Sequence, residues 1–133
     1  MSLPDYTHYL TEIQQFITPI TGYGQATWIY SQSRILAVYL RVRPRLIKNQ
    51  FLWGVDVANI QVRSHWQRKG YGTRLIEAIH AINPHGFTYV ELAHHPGLQK
   101  YLEQSGWSWD EPMDDPSYYK LTQSLKTKQR SEP

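Results

Sequence analysis

Apolar side chains at Tyr6, Tyr9, Leu10, Ile13, Phe16 and Ile17 recur at three- and four-residue intervals. That is the spacing of one helical face and predicts an amphipathic helix over residues 5–17. Thr18-Pro19 and Gly22-Tyr23-Gly24 end it. The pattern then turns to β-branched and aromatic residues. Ala26 to Tyr30 and Arg34 to Val42 flank Ser31-Gln32-Ser33 and predict a hairpin. Pro44 and the polar run Lys48-Asn49-Gln50 predict the next turn, and Phe51 to Val62 a long strand. Gly54 inside that strand marks a bulge or a close backbone approach.

The period changes again at Leu75, Ile76, Ile79 and Ile82, predicting a helix over 71–82 that Asn83-Pro84-His85-Gly86 closes. Phe87 to Leu92 predicts a short strand. Pro96 opens a second such helix, with Leu98, Tyr101 and Leu102 facing inward, and Gly106 stops it. Trp107 to Trp109 and Tyr118 to Thr122 predict two short strands around an acidic loop. From about Leu125 the chain is polar and reads as a frayed tail, leaving one domain over 1–124. A strand–helix–strand unit after an antiparallel meander predicts a mixed α/β (α+β) sheet.

The 133 residues suit a single core. Five Trp, ten Tyr and three Phe make that core and any groove aromatic. No apolar run is long enough to span a bilayer, and the N-terminus carries no signal-peptide pattern, so no membrane association is expected. The absence of Cys excludes a disulfide scaffold, a Cys-zinc site and a Cys nucleophile, and fits a cytoplasmic protein. Charge changes the picture more. From Arg34 to Arg74 there are nine Lys or Arg and one acid, Asp56, a net of +8. The remainder holds five basic and ten acidic residues, a net of −5. A basic middle points to a polyanionic ligand there, either nucleic acid or a phosphate-rich cofactor, or else to a solvated basic face.

The segment richest in chemistry runs from Ile60 to Leu75, through Gln67-Arg68-Lys69-Gly70-Tyr71-Gly72-Thr73-Arg74. A strand ends, a basic loop follows, and two glycines precede a helix. Helix starts leave backbone N–H groups free and carry partial positive charge. Glycine removes side chains that would block a phosphate, so this segment reads as a pyrophosphate cradle. It is neither a P-loop nor the dinucleotide fingerprint, because the required Gly and Lys spacing is absent.

Gln67-Arg68-Lys69-Gly70-Tyr71-Gly72 resembles the GNAT family of N-acetyltransferases, whose signature is Gln/Arg-x-x-Gly-x-Gly/Ala between a strand and a helix. Val62 and Trp66 stand where that family has a valine and an aromatic. Tyr101-Leu102-Glu103-Gln104-Ser105-Gly106-Trp107 is similar to its downstream aromatic-Tyr-Glu-Lys-Leu-Gly-Phe run. The resemblance covers nearly the whole domain. It implies the GNAT fold, a central mixed and mostly antiparallel sheet flanked by helices. It implies acetyl-CoA as cofactor and transfer of the acetyl group to a primary amine, small-molecule or protein, by direct attack. It maps pantetheine contacts onto the backbone of Ile60, Gln61 and Val62. It maps pyrophosphate contacts onto Gln67 through Thr73, with charge from Arg68, Lys69 and Arg74. His95 stands near the cofactor, where many members have Asn.

The resemblance also implies a general base at Asp56, the only acid between Glu12 and Glu77. Amid Phe51, Trp53 and Val55 it would be desolvated. The alternative is that it faces solvent or pairs with an arginine such as Arg41 or Arg43. The general acid of the family falls on Leu102, so Tyr101 beside it is the candidate, with plain core packing as its alternative. Asp114 and Asp115, in the acidic loop after Trp109, are candidates for attracting a cationic amine acceptor. Arg41, Arg43, Arg45 and Lys48 read as a basic hairpin beside aromatics. A solvated loop is favoured there, and nucleic acid is not expected as a partner. The histidines lack metal-site spacing, so no metal is expected. Exposed aromatics such as Trp109, Tyr118 and Tyr119 would offer a homodimer contact. The competing function is a non-catalytic module of the same fold that binds CoA, nucleic acid or protein.

Overall fold

The computed structural model describes residues 5–91, 96–110 and 116–123. The chain runs α1 (Tyr6–Ile17), β1 (Gln25–Tyr30), β2 (Leu36–Ile47), β3 (Gln50–Val62), a 3-10 turn at Ser64–Trp66, and α2 (Tyr71–Ile82). It continues with β4 (Phe87–Val90), α3 (Pro96–Gln104), β5 (Ser108–Trp109) and β6 (Tyr118–Leu121). One six-stranded sheet has the order β1-β2-β3-β4-β6-β5. Every neighbouring pair is antiparallel except β3 and β4, joined by the α2 crossover. The mixed α/β class expected from the sequence is the one observed.

All three helices pack one face. Ile13 and Ile17 of α1, Leu75, Ile76 and Ile79 of α2, and Leu102 of α3 join Val38, Leu40, Val42, Val55 and Val57 in a single buried cluster. Tyr9 is fixed there by its hydroxyl, which donates to the Ile29 carbonyl at 2.8 Å. The opposite face holds a smaller cluster of Ile47, Phe87, Tyr89 and Tyr119.

One expectation about the strands needs correction, and one resolves between its two alternatives. β2 continues through Pro44 to Ile47 instead of turning there. Along β2 the even positions direct their backbone groups toward β1, as the Ser31 N–H to Leu36 O bond at 2.9 Å shows. β1 reaches only Val42, so the missing N–H of Pro44 costs no ladder bond. The turn is a two-residue hairpin at Lys48 and Asn49, both at positive φ. Gly54 takes the second of its two alternatives, the close approach. A Cβ there would lie 2.4 Å from the Phe87 ring, so glycine lets that ring cross the strand. The register shift falls further on, where Tyr39 pairs Asn59 but Leu40 pairs Val57, leaving Ala58 as the extra residue. The bulge puts Ile60 and Val62 on the same core face as Val57 despite the odd spacing.

Candidate functional site: a forked strand edge and its glycine loop

β3 and β4 pair only from Gly54/Phe87 to Val57/Val90. The Glu91 N–H to Val57 O bond, at 3.1 Å, is the last described rung. Beyond the bulge, Asn59 to Val62 pair with β2 alone among the described residues. That is about 13 Å of one-sided strand, at roughly 3.3 Å per residue. Arg63 N–H bonds back to Ile35 O at 2.9 Å, which fixes the alternation. Asn59 and Gln61 therefore spend their backbone groups on β2, whereas Ile60 and Val62 direct theirs to the open edge.

The open edge runs into the glycine loop. Gln67 closes the corner by donating Nε2–H to the Val62 carbonyl at 2.8 Å. Arg68 (φ 63) and Gly70 (φ 82) turn the chain left-handed into α2. No side chain caps this helix start, so its first-turn N–H groups face the same side as the loop. Gly72 has nothing within 4 Å of where a Cβ would stand. A cleft of about 510 Å³ joins these parts, lined among others by Ile60, Val62, Gln67, Arg68, Gly72 and Thr73. These are properties a CoA pyrophosphate and an extended amide-bearing arm require: a helix start with no side-chain cap, a strand edge without a partner strand among the described residues, and open space at Gly72.

Of the residues expected to hold the cofactor, Ile60, Val62, Gln67, Arg68, Gly70, Tyr71, Gly72 and Thr73 line this cleft. Three do not. Gln61 turns its backbone to β2 because the alternation demands it. Lys69 lies toward the Trp66 ring, 5.7 Å from its centroid. Arg74 packs over Tyr71 at 4.9 Å and donates to the Lys69 carbonyl at 2.9 Å, bracing the loop. His95, Asp114 and Asp115 lie outside the described residues. The sequence reading missed Ile76, Gly97 and Leu98 as lining residues. Leu98 was visible only as a core position of its helix.

Asp56 takes the second of its two alternatives. It is fully buried, but among charges and not apolar groups. Arg43 Nε donates to it at 2.7 Å, and Arg45 donates from Nε at 2.9 Å and from Nη2 at 3.0 Å. Arg41 Nε stands 3.5 Å away. Glu91, unremarked in the sequence, also binds all three guanidiniums. Arg45 stacks on Tyr89, its Cζ 3.7 Å from the ring centroid, and is held more basic by Asp56 despite burial. Burial, together with the bond from Tyr89 Oη–H to Asp110 at 2.5 Å, pushes the Tyr89 phenol up to about 12. Arg41, Arg43 and Arg45 thus form part of the sheet and not a solvated loop.

Tyr101 does not line the cleft. Its hydroxyl is engaged by Glu77 and Ser105, and burial foremost raises its pKa. Leu102 beside it is core. The reason is helical geometry: adjacent positions point about 100° apart. Tyr118 and Tyr119 are buried, leaving Trp109 alone of the three aromatics considered for a dimer contact exposed. His80 bonds Thr88 and His85 bonds the Ile17 carbonyl, both as structural pins. No described helix is long and apolar enough to cross a membrane.

No family model matches the sequence, and no curated protein does. Solved structures match in fold. One is a chain of the KacTA–DNA complex: TM-score 0.57, 12% identity, covering 96% of this chain and 85% of that one. Another is a mutant AtaT toxin bound to the C-terminus of the antitoxin AtaR: TM-score 0.51, 13% identity, covering 74% of this chain and 66% of that one. A third is the same toxin and antitoxin with acetyl-CoA: TM-score 0.52, 12% identity, covering 74% and 64%. The chain has a GNAT-like fold, as its motifs imply. The expectation against nucleic acid gains no support, since a neighbour of this fold comes from a DNA complex.

Proposed function

We propose that the protein is an acetyl-CoA-dependent N-acetyltransferase acting on a primary amine. The observation that carries this reading is the one-sided edge of β3 leading into an uncapped, glycine-opened helix start. The acetyl-CoA-bound neighbour of the same fold supports it. Ile60 N–H and C=O and Val62 N–H would hold the extended arm, and the loop from Gln67 to Thr73, with Arg68, the pyrophosphate. When bound, acetyl-CoA supplies the activated acyl group. The chain's part is to align it with the amine at the fork between Val57 and Glu91. Asp56, tied to three guanidiniums, is assigned to holding them. The amine proton leaves to water, and Tyr101 is assigned to packing.

Calorimetric titration with acetyl-CoA tests the reading. Wild type should bind with micromolar affinity, and Gly72→Trp, filling the cleft from a half-buried helix position that lines it, should not. Failure of the wild type to bind would overturn it. The second reading, a non-catalytic module of the same fold, is favoured by the engaged Tyr101 hydroxyl. Acetyl-CoA binding without transfer to any amine would support that reading.

A further inference from the structure

Among the described residues, the arginine cluster has a charge surplus that its partners do not cancel. Arg41, Arg43 and Arg45 alternate along β2, so all three point to one face, as does Asp56, the cross-strand partner of Arg41. Glu91 reaches the same spot from the end of β4. Three guanidiniums thus converge on two carboxylates. They reach the two acids through their Nε and Nη2 atoms. The Nη1 groups have no partner among the described residues, while the side chains keep 27, 39 and 18% of their surface open. Arg41 Nε is buried with no hydrogen-bond partner. A cluster serving stability alone would balance its charges, because a surplus cation in a partly buried site is costly. One further anion would balance this one.

Position says what that anion belongs to. Asp56 precedes Val57, the last residue of β3 paired with β4, so the cluster sits within one residue of the fork. On the other face the fork is closed by the helix-packed core. An amine approaching the fork must come from the arginine face.

We propose that Arg41, Arg43 and Arg45 form an anion-recognition subsite for the acceptor, which is an amine carrying a carboxylate or phosphate group close to its nitrogen. This rests on the transferase reading and reverses the cationic acceptor expected from the acidic loop. The subsite holds the anion through the Nη1 donors, a geometry suited to planar or tetrahedral oxyanions. The neutral amine nitrogen then forms the N–C bond as the thioester C–S bond breaks. The electron pair leaves on the CoA thiolate, and the amine proton passes to water. Asp56 and Glu91 act as positioning residues that keep the three forks convergent.

The test measures acetyl transfer from acetyl-CoA to paired acceptors by thiol release. Phenylalanine against phenylalanine amide probes a carboxylate, aminoethyl phosphate against ethanolamine a phosphate, and spermidine a polycation. The proposal expects kcat/KM for at least one anionic member to exceed its uncharged partner and spermidine by about tenfold or more. In Arg43→Gln that preference should vanish through acceptor KM, with acetyl-CoA KM unchanged. Arg41→Lys, which keeps charge but loses the fork, should weaken it and guards against a folding failure at Arg43. If acetyl-CoA binds and amines are acetylated, but uncharged or polycationic acceptors do as well, the subsite is refuted and the transferase reading stands. If acetyl-CoA does not bind, both fall.

Discussion

The two halves of β3 solve opposite problems with one strand. From Gln50 to Val57 it is flanked by β2 and, over its last four residues, by β4, and its polar side chain is saturated by ions: Asp56 has three arginines. From Ala58 to Val62 one edge lacks a described partner strand, and the loop beyond opens onto a cleft. The bulge at Ala58 is the divide. A strand fixed firmly at one end can hold the other end ready without collapsing onto a neighbour. Rigid support for an open edge is what a binding site for an extended ligand needs.

Breaking the saturated half should have the largest effect. Asp56→Ala leaves three guanidiniums with one carboxylate, and a loss of about 3–5 kcal/mol is expected in urea unfolding. A loss below about 1 kcal/mol, the range of exposed pairs, would mean the cluster is a surface network. Next comes Gly54→Val. Its side chain meets the buried Phe87 ring, and overpacking should cost about 1–3 kcal/mol by the same measurement. Gly70→Ala follows, at about 1–2 kcal/mol, because an L-residue is strained at its φ of 82.

The open half should respond differently. Gly72→Ala has free space and sits in a helix. It should change stability by no more than about 1 kcal/mol, in the stabilising direction. It should still weaken acetyl-CoA binding in calorimetry. Equal affinity would place the phosphate elsewhere. The last prediction concerns alkali alone. Tyr89 has its folded pKa raised from 10.0 to about 12. Its stabilising contribution is therefore complete below pH 10 and lost as pH rises toward 12. Tyr89→Phe should flatten that part of the stability profile, while one as steep as wild type would assign it to other groups.

Helices α1 and α2, the first hairpin and the glycine loop were legible because their signals are local: period, caps and turns. The loop was the more legible for needing backbone freedom at one named position, Gly70, and open space at another, Gly72. Pairing was not legible. Ending β2 at Val42 hid the fact that residues 41, 43 and 45 alternate onto the face of Asp56. They read instead as a solvated hairpin. The bulge at Ala58 left no signature, since alanine suits either geometry, and without it the alternation at Gln61 was unreadable. Glu91 was invisible for the same reason: only the parallel pairing of β3 with β4 brings it to the arginines.

The central claim is that alternate backbone groups of β3 are held open for acetyl-CoA. Residue-resolved amide hydrogen exchange, with and without saturating acetyl-CoA, tests it most directly. The amides of Ile60 and Val62 should gain protection on addition, while those of Asn59 and Gln61, already bonded to β2, should change little. No change at Ile60 and Val62 would contradict the account, as would uniform protection along all four.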